Sequence, residues 1–179
     1  MTGNANVYAQ ALYDLCREEN LCGKVLEEMN ALKDVFHQNP EYVRLLAAPG
    51  IGKDERCSML DEAFKGKVEP YVLNFLKLLT RRGHARQIAA CCGAYRELYN
   101  EEHGILPVTV RTAVTLSDEQ RAKLRNKLAA ITGKQVELLC VVDEKVLGGV
   151  QLDYDGKRVD DTVRNRLDAV RALLQNTML

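Results

Sequence analysis

The sequence predicts an α+β fold: an N-terminal six-helix bundle followed by a small α/β domain with a short mixed sheet. Three observations carry this. Before Gly104, apolar residues recur at i, i+3, i+4 and i+7, the period of amphipathic helices. From Ile105 they alternate, with Ile105, Pro107 and Thr109 on one side and Leu106, Val108 and Val110 on the other. Beyond that point helix caps, β-branched runs and a hairpin signal follow one another closely. The change of period at Gly104 sets two domains, 1–104 and 105–179.

The elements follow in chain order. A first helix covers 5–20, with Val7, Tyr8, Ala11, Leu12, Leu15 and Cys16 as its apolar members. A second covers 23–38, with Val25, Leu26, Met29, Leu32, Val35 and Phe36 at core spacing. Asn39-Pro40 stops it, because the residue before proline avoids the α region. A short helix over 41–48 ends at Pro49-Gly50, and a fourth covers 53–64 with Cys57, Leu60 and Phe64 inward. The fifth, 69–82, carries Pro70 in its first turn, where a missing N–H costs nothing, and Gly83 as C-cap. The sixth covers 86–102.

In the second part, a strand over 105–114 leads to Ser117, whose spacing to Gln120 is that of a capping box for a helix reaching residue 131. Strands are expected over 136–142 and 146–154, the latter containing Gly148-Gly149. Asp155-Gly156 is a hairpin signal leading to a short strand, 157–159. Asp160 or Asp161 then caps a last helix to residue 175.

Composition narrows the function classes. Lys+Arg and Asp+Glu both number 25, so there is none of the basic surplus usual in nucleic-acid binders. Aromatics are only 6% and Trp is absent, which argues against stacking platforms for bases or sugars. The six cysteines, Cys16, Cys22, Cys57, Cys91, Cys92 and Cys140, show no C-x-x-C spacing and read as small apolar residues in a reducing compartment. No secretory segment and no run of 18 apolar residues is visible, so the expectation is a cytosolic protein that meets a membrane only through another protein.

Candidate chemistry is sparse. Pro49-Gly50-Ile51-Gly52-Lys53-Asp54 has the wrong glycine spacing for a phosphate loop, and Asp54 would repel phosphate. His37, His84 and His103 lie near helix ends, where positive charge is favoured, and match no metal-ligand spacing. No nucleophile has a partnered base. The expectation is no catalytic residue, no metal and no cofactor. Gly148-Gly149 within a strand signals either a bulge or the close approach of a partner. Arg158, Arg164, Arg166 and Arg171 are interleaved with Asp153, Asp155, Asp160, Asp161 and Asp168, which reads as a self-paired surface.

The fifth helix carries more apolar surface than one core contact uses. Val72, Phe75, Leu76 and Leu79 form one stripe; Tyr71, Asn74 and Leu78 form a second. Tyr8, Ala11, Leu12 and Leu15 spread over a wide arc of the first helix. Two such helices side by side form a groove for a third, amphipathic helix; a tightly filled bundle without a groove is the alternative.

Several segments resemble one family. Tyr8-Ala9-Gln10-Ala11-Leu12-Tyr13-Asp14-Leu15 resembles the opening helix of the delta subunit of F-type ATP synthase, whose mitochondrial relative is the oligomycin-sensitivity-conferring protein. Leu76-Lys77-Leu78-Leu79-Thr80-Arg81-Arg82-Gly83-His84 and Tyr95-Arg96-Glu97-Leu98-Tyr99-Asn100-Glu101 resemble the family's fifth and sixth helices. Val110-Arg111-Thr112-Ala113, Thr132-Gly133-Lys134, Leu147-Gly148-Gly149-Val150 and Val163-Arg164-Asn165-Arg166-Leu167 continue the match in order along the chain.

The resemblance implies a role without a chemistry. Delta subunits join the catalytic head to the peripheral stalk. The implied partners are alpha-subunit N-terminal helices, in a groove of helices one and five, and the C-terminus of the stalk's b subunit. The groove residues implied are Tyr8, Ala11, Leu12, Leu15, Tyr71, Asn74 and Leu78; those for the b subunit are Val142, Leu147, Gly149 and Val150. The implied place is peripheral, on the cytoplasmic face of the bacterial cell membrane. The family's Asp-Gly-Ser before its last helix is Asp160-Asp161-Thr162 here, so a capping role carries over and a role needing glycine does not. A nucleic-acid-binding adaptor using the C-terminal α/β domain ranks second, and an enzyme third.

Overall fold

The computed structural model describes residues 3–143, 146, 149–154 and 156–162. Among them are seven α-helices and a four-stranded mixed sheet, an α+β architecture. The chain divides into two compact units, Met1–Tyr99 and Asn100–Leu179.

The first unit is built from α1 (Gly3–Glu18), α2 (Cys22–Gln38), α3 (Pro40–Leu46), α4 (Lys53–Phe64), α5 (Pro70–Arg81), a 3-10 turn (Ala85–Gln87) and α6 (Ile88–Glu102) up to its residue Tyr99. Each long helix gives one stripe to a shared core. Ala5, Ala9, Leu12 and Cys16 come from α1, Val25, Met29, Leu32 and Phe36 from α2, and Val72, Phe75, Leu76 and Leu79 from α5. Val35, expected inward, is exposed, because the buried line on α2 is the narrow one running through Met29 and Leu32. Tyr95 on α6 is fully buried; its ring meets Tyr13 edge-on at 5.2 Å and its hydroxyl donates to the Cys22 carbonyl at 3.3 Å.

Helix ends follow local chemistry. α1 stops at Glu18, short of the expected residue 20, because Asn20 takes a left-handed conformation with φ 56°. That turn lets the Leu21 N–H reach back to the Cys16 carbonyl at 2.8 Å, the closing bond of a Schellman cap. Gly83, φ 78°, closes α5 the same way, with His84 N–H to Leu79 O at 2.8 Å and Gly83 N–H to Thr80 O at 3.1 Å. α6 begins at Ile88, two residues later than expected, after the 3-10 turn.

The second unit contains β1 (Ile105–Thr112), α7 (Asp118–Thr132), β2 (Gln135–Val142), β3 (Gly149–Tyr154) and β4 (Lys157–Thr162), with strand order β2-β1-β3-β4. β1 and β2 are parallel and joined through α7; β3 and β4 are antiparallel neighbours. Among the described residues β3 pairs with Thr109 to Thr112 and only β2 stands opposite Pro107, a place where a missing N–H is tolerated. One face, with Leu106, Val108, Val110 and Val136, packs with Leu128 of α7.

Two expectations are corrected here. The third strand begins at Gly149 and not at Val146, which is buried outside any strand. β4 continues through Asp160 and Asp161 to Thr162, so neither aspartate begins a helix; β3 supplies a pairing partner for each, Gln151 for Asp160 and Val150 for Asp161. The helix expected up to residue 175 lies, beyond Thr162, outside the described residues.

The capping box expected at Ser117 is formed. Its hydroxyl accepts from the Gln120 N–H at 3.3 Å, and the Gln120 side-chain oxygen accepts from the Ser117 N–H at 2.9 Å. Ser117→Ala should cost about 1 kcal/mol of stability, read as a lower urea midpoint with an unchanged slope.

Candidate docking surfaces

α5 divides its circumference among three neighbours. Val72, Leu76 and Leu79 enter the core. A polar flank faces α4: Lys77 pairs with Asp61, and Arg81 with Asp54 at 3.1 Å. At its start, the Glu69 N–H donates to Glu28 at 2.8 Å and the Glu69 carboxylate pairs with Lys24, which ties it to α2 and raises the Lys24 pKa. α1 also packs on α5, and the Tyr8 ring lies 5.8 Å from the His84 ring just past the end of α5.

What remains uncovered on α5 is the line of Tyr71, Asn74 and Leu78. Tyr71 is half-buried, Asn74 is exposed, and Leu78 is 43% exposed. On α1, Leu15 is 49% exposed, Ala11 is exposed and Tyr8 is half-buried. Leu12 is different: at 3% exposed it belongs to the core and has no surface for a partner. The inward line of α1 runs through Ala5, Ala9, Leu12 and Cys16, at helical spacing, and Leu12 falls on it. Val7, an apolar member of the first helix that the groove set leaves out, is 68% exposed and continues Ala11 and Leu15 at i, i+4, i+8. That spacing was the available signal.

On the second unit, Val142 and Val150 both stand opposite Thr112, one on each side of β1, so three strands bring them together at one end of the sheet. Val142 is exposed, Val150 half-buried, and Gly149 exposed with φ 91°. Leu147 and Gly148 lie outside the described residues. The other face of β2 shows Leu139 and Val141, both exposed. Neither was picked out from sequence; the unbroken apolar run 138–142, which demands cover on both faces, was the signal.

One charged cluster on this sheet is internally paired. Asp153 accepts from Arg158 at 2.7 Å and pairs with Arg111 at 3.4 Å, and the Arg158 hydrogen bond foremost holds its carboxyl below the usual range. Those two arginines are therefore already engaged, whereas phosphate binding needs cations to spare. Arg164, Arg166 and Arg171 lie outside the described residues.

Burial pushes the Cys91 thiol up to about 11 and the Cys92 thiol up to about 12, which makes both poor nucleophiles. Among the described residues no group of three or more His, Cys, Asp or Glu is placed to hold a metal ion. No helix among them is long and apolar enough to cross a membrane.

Comparison with known proteins gives one answer. The family model "ATP synthase delta (OSCP) subunit" matches residues 5–174. ATP synthase subunit delta of Chlorobium chlorochromatii is 34% identical over 167 residues, covering 93% of this chain and 93% of the relative. That of Lacticaseibacillus casei is 36% identical over 168 residues, covering 93% of this chain and 92% of the relative. A chain in the structure of the Toxoplasma gondii mitochondrial ATP synthase hexamer shares the fold, with a TM-score of 0.75 at 18% identity, covering 96% of this chain and 97% of that one.

Proposed function

This chain belongs to the ATP synthase delta (OSCP) subunit family, and on that premise we propose that it is the stator connector of an F-type ATP synthase. The family is a non-catalytic, structural one within the F1Fo complex. In this reading residues 1–104 act as a six-helix bundle that caps the alpha/beta head. N-terminal helices of alpha subunits lie in the trough between α1 and α5, against Tyr8, Ala11, Leu15, Tyr71, Asn74 and Leu78. Residues 105–179 hold the C-terminus of the peripheral stalk b subunit against Val142, Leu147, Gly149 and Val150. Held at both ends, the head cannot turn with the rotor, and proton flow stays coupled to ATP synthesis. The subunit works at the cytoplasmic face of the bacterial membrane, which it reaches only through the complex.

The observation that carries this reading is the exposed apolar line of α5 beside α1. Fully burying a Leu-sized side chain is worth roughly 1.5–3 kcal/mol, and Leu78, Leu15 and Val7 leave part of that unrealised on these two helices. An amphipathic helix laid there would recover that burial. The test is calorimetric titration of the full chain with a synthetic alpha-subunit N-terminal peptide. A stator needs a firm grip, so the expected affinity is nanomolar, about −12 kcal/mol. An absence of binding at micromolar concentrations would overturn the proposal.

A further inference from the structure

At the corner between α2 and α3, the first unit has a solvent-open cleft of about 610 Å³, lined by Phe36, His37, Pro40, Val43, Arg44 and Arg86. We propose that it binds an organic monocarboxylate with an apolar body, of the size of a medium-chain alkanoate. Small-ligand sites commonly span about 300–1,000 Å³, so the volume fits such a molecule.

The floor is apolar and held in place. Phe36 is buried, stacked on Tyr42 at 6.2 Å and tilted against Phe64 at 5.9 Å. Tyr42 is fixed in turn, its hydroxyl donating to the Met59 carbonyl at 3.0 Å. Pro40 and Val43 add aliphatic wall. The lining includes two guanidiniums and no carboxylate. Arg44 comes from α3 and Arg86 from the 3-10 turn packed against it.

Both arginines are exposed, and among the described residues neither guanidinium has an ion pair or hydrogen bond that would compete for a ligand. Two guanidiniums free to turn toward an apolar floor suit one anion with a hydrophobic tail. A carboxylate matches the guanidinium fork. A dianion would give up more hydration on entering against Phe36 and Val43, and a cation would meet only like charge.

The test uses the full-length, ¹⁵N-labelled chain titrated with sodium octanoate, with octanamide as the uncharged isostere and acetate as the tail-less acid. Octanoate should give saturable amide shifts around residues 36–44 and 86, with a dissociation constant below about 1 mM. Octanamide should bind at least about tenfold more weakly, as should octanoate to the Arg44→Gln/Arg86→Gln double variant. Acetate should give no saturable shift there. Val43→Phe, which fills the cleft with apolar volume, should abolish binding and serves as a second variant should the double one misfold. Equal binding of octanoate and octanamide, equal binding by wild type and variants, or no saturable shift near these residues would each overturn the proposal. The readout needs no alpha or b subunit, so it stands or falls separately from the connector role.

Discussion

Leu78→Asp is expected to abolish binding of an alpha-subunit N-terminal peptide while leaving the fold intact. In the free chain the new carboxylate sits at a position 43% open to water, where it keeps most of its hydration. Lost partial burial and an acid in the last turn of α5 should together cost about 1 kcal/mol, which leaves the fold intact. Under a docked apolar helix the same charge would be stripped of water with no partner to offset it. A loss of at least about a thousandfold, ~4 kcal/mol, follows. Val35→Asp is the control: equally exposed, but on α2, it should leave affinity unchanged. Calorimetry on the three proteins, with circular dichroism to confirm folding, decides the matter. Retained affinity in Leu78→Asp would remove the α1–α5 trough as the site.

Leu76→Ala is the complementary expectation, with a large effect on stability. Leu76 lies two positions before Leu78 but is fully buried among the helices of the first unit. Truncating a buried Leu to Ala removes transfer free energy and leaves a cavity, about 2–5 kcal/mol together. Domains are commonly stable by only about 5–15 kcal/mol, so this is a large fraction of the total. Leu78→Ala should cost well under about 1 kcal/mol. Urea denaturation of both variants measures the difference. Equal costs would mean that α5 does not present one stripe inward and one outward.

The sequence spoke most clearly where period and punctuation agreed. The α4 bounds, the Ser117 capping box, the Gly83 cap and the switch to strand at Ile105 were all legible, because each depends on neighbours within a few residues. The two stripes of α5 could be separated for the same reason. Leu12 was harder. The apolar arc of α1 is wide, and whether Leu12 lies at its buried or its open edge depends on how α1 is rotated against its neighbours. Asp160 and Asp161 misled because Asp is a good helix cap, yet pairing with β3 overrode that local preference. Nothing in the sequence joined Arg86 to Phe36 and Arg44, which are separated by some forty residues of chain and meet only through packing of the 3-10 turn on α3.

By itself the sequence determined the kinds of element, their order and which side of each is apolar, since these follow from backbone chemistry and side-chain period along a single segment. The tertiary structure alone decided which apolar sides find a neighbour: α4 and the core occupy two flanks of α5 and leave the third open, Leu12 turns inward, and two unpaired arginines come to share one cleft. Burial and pairing belong to contacts between distant segments, and a linear pattern fixes what each segment offers but not what it meets.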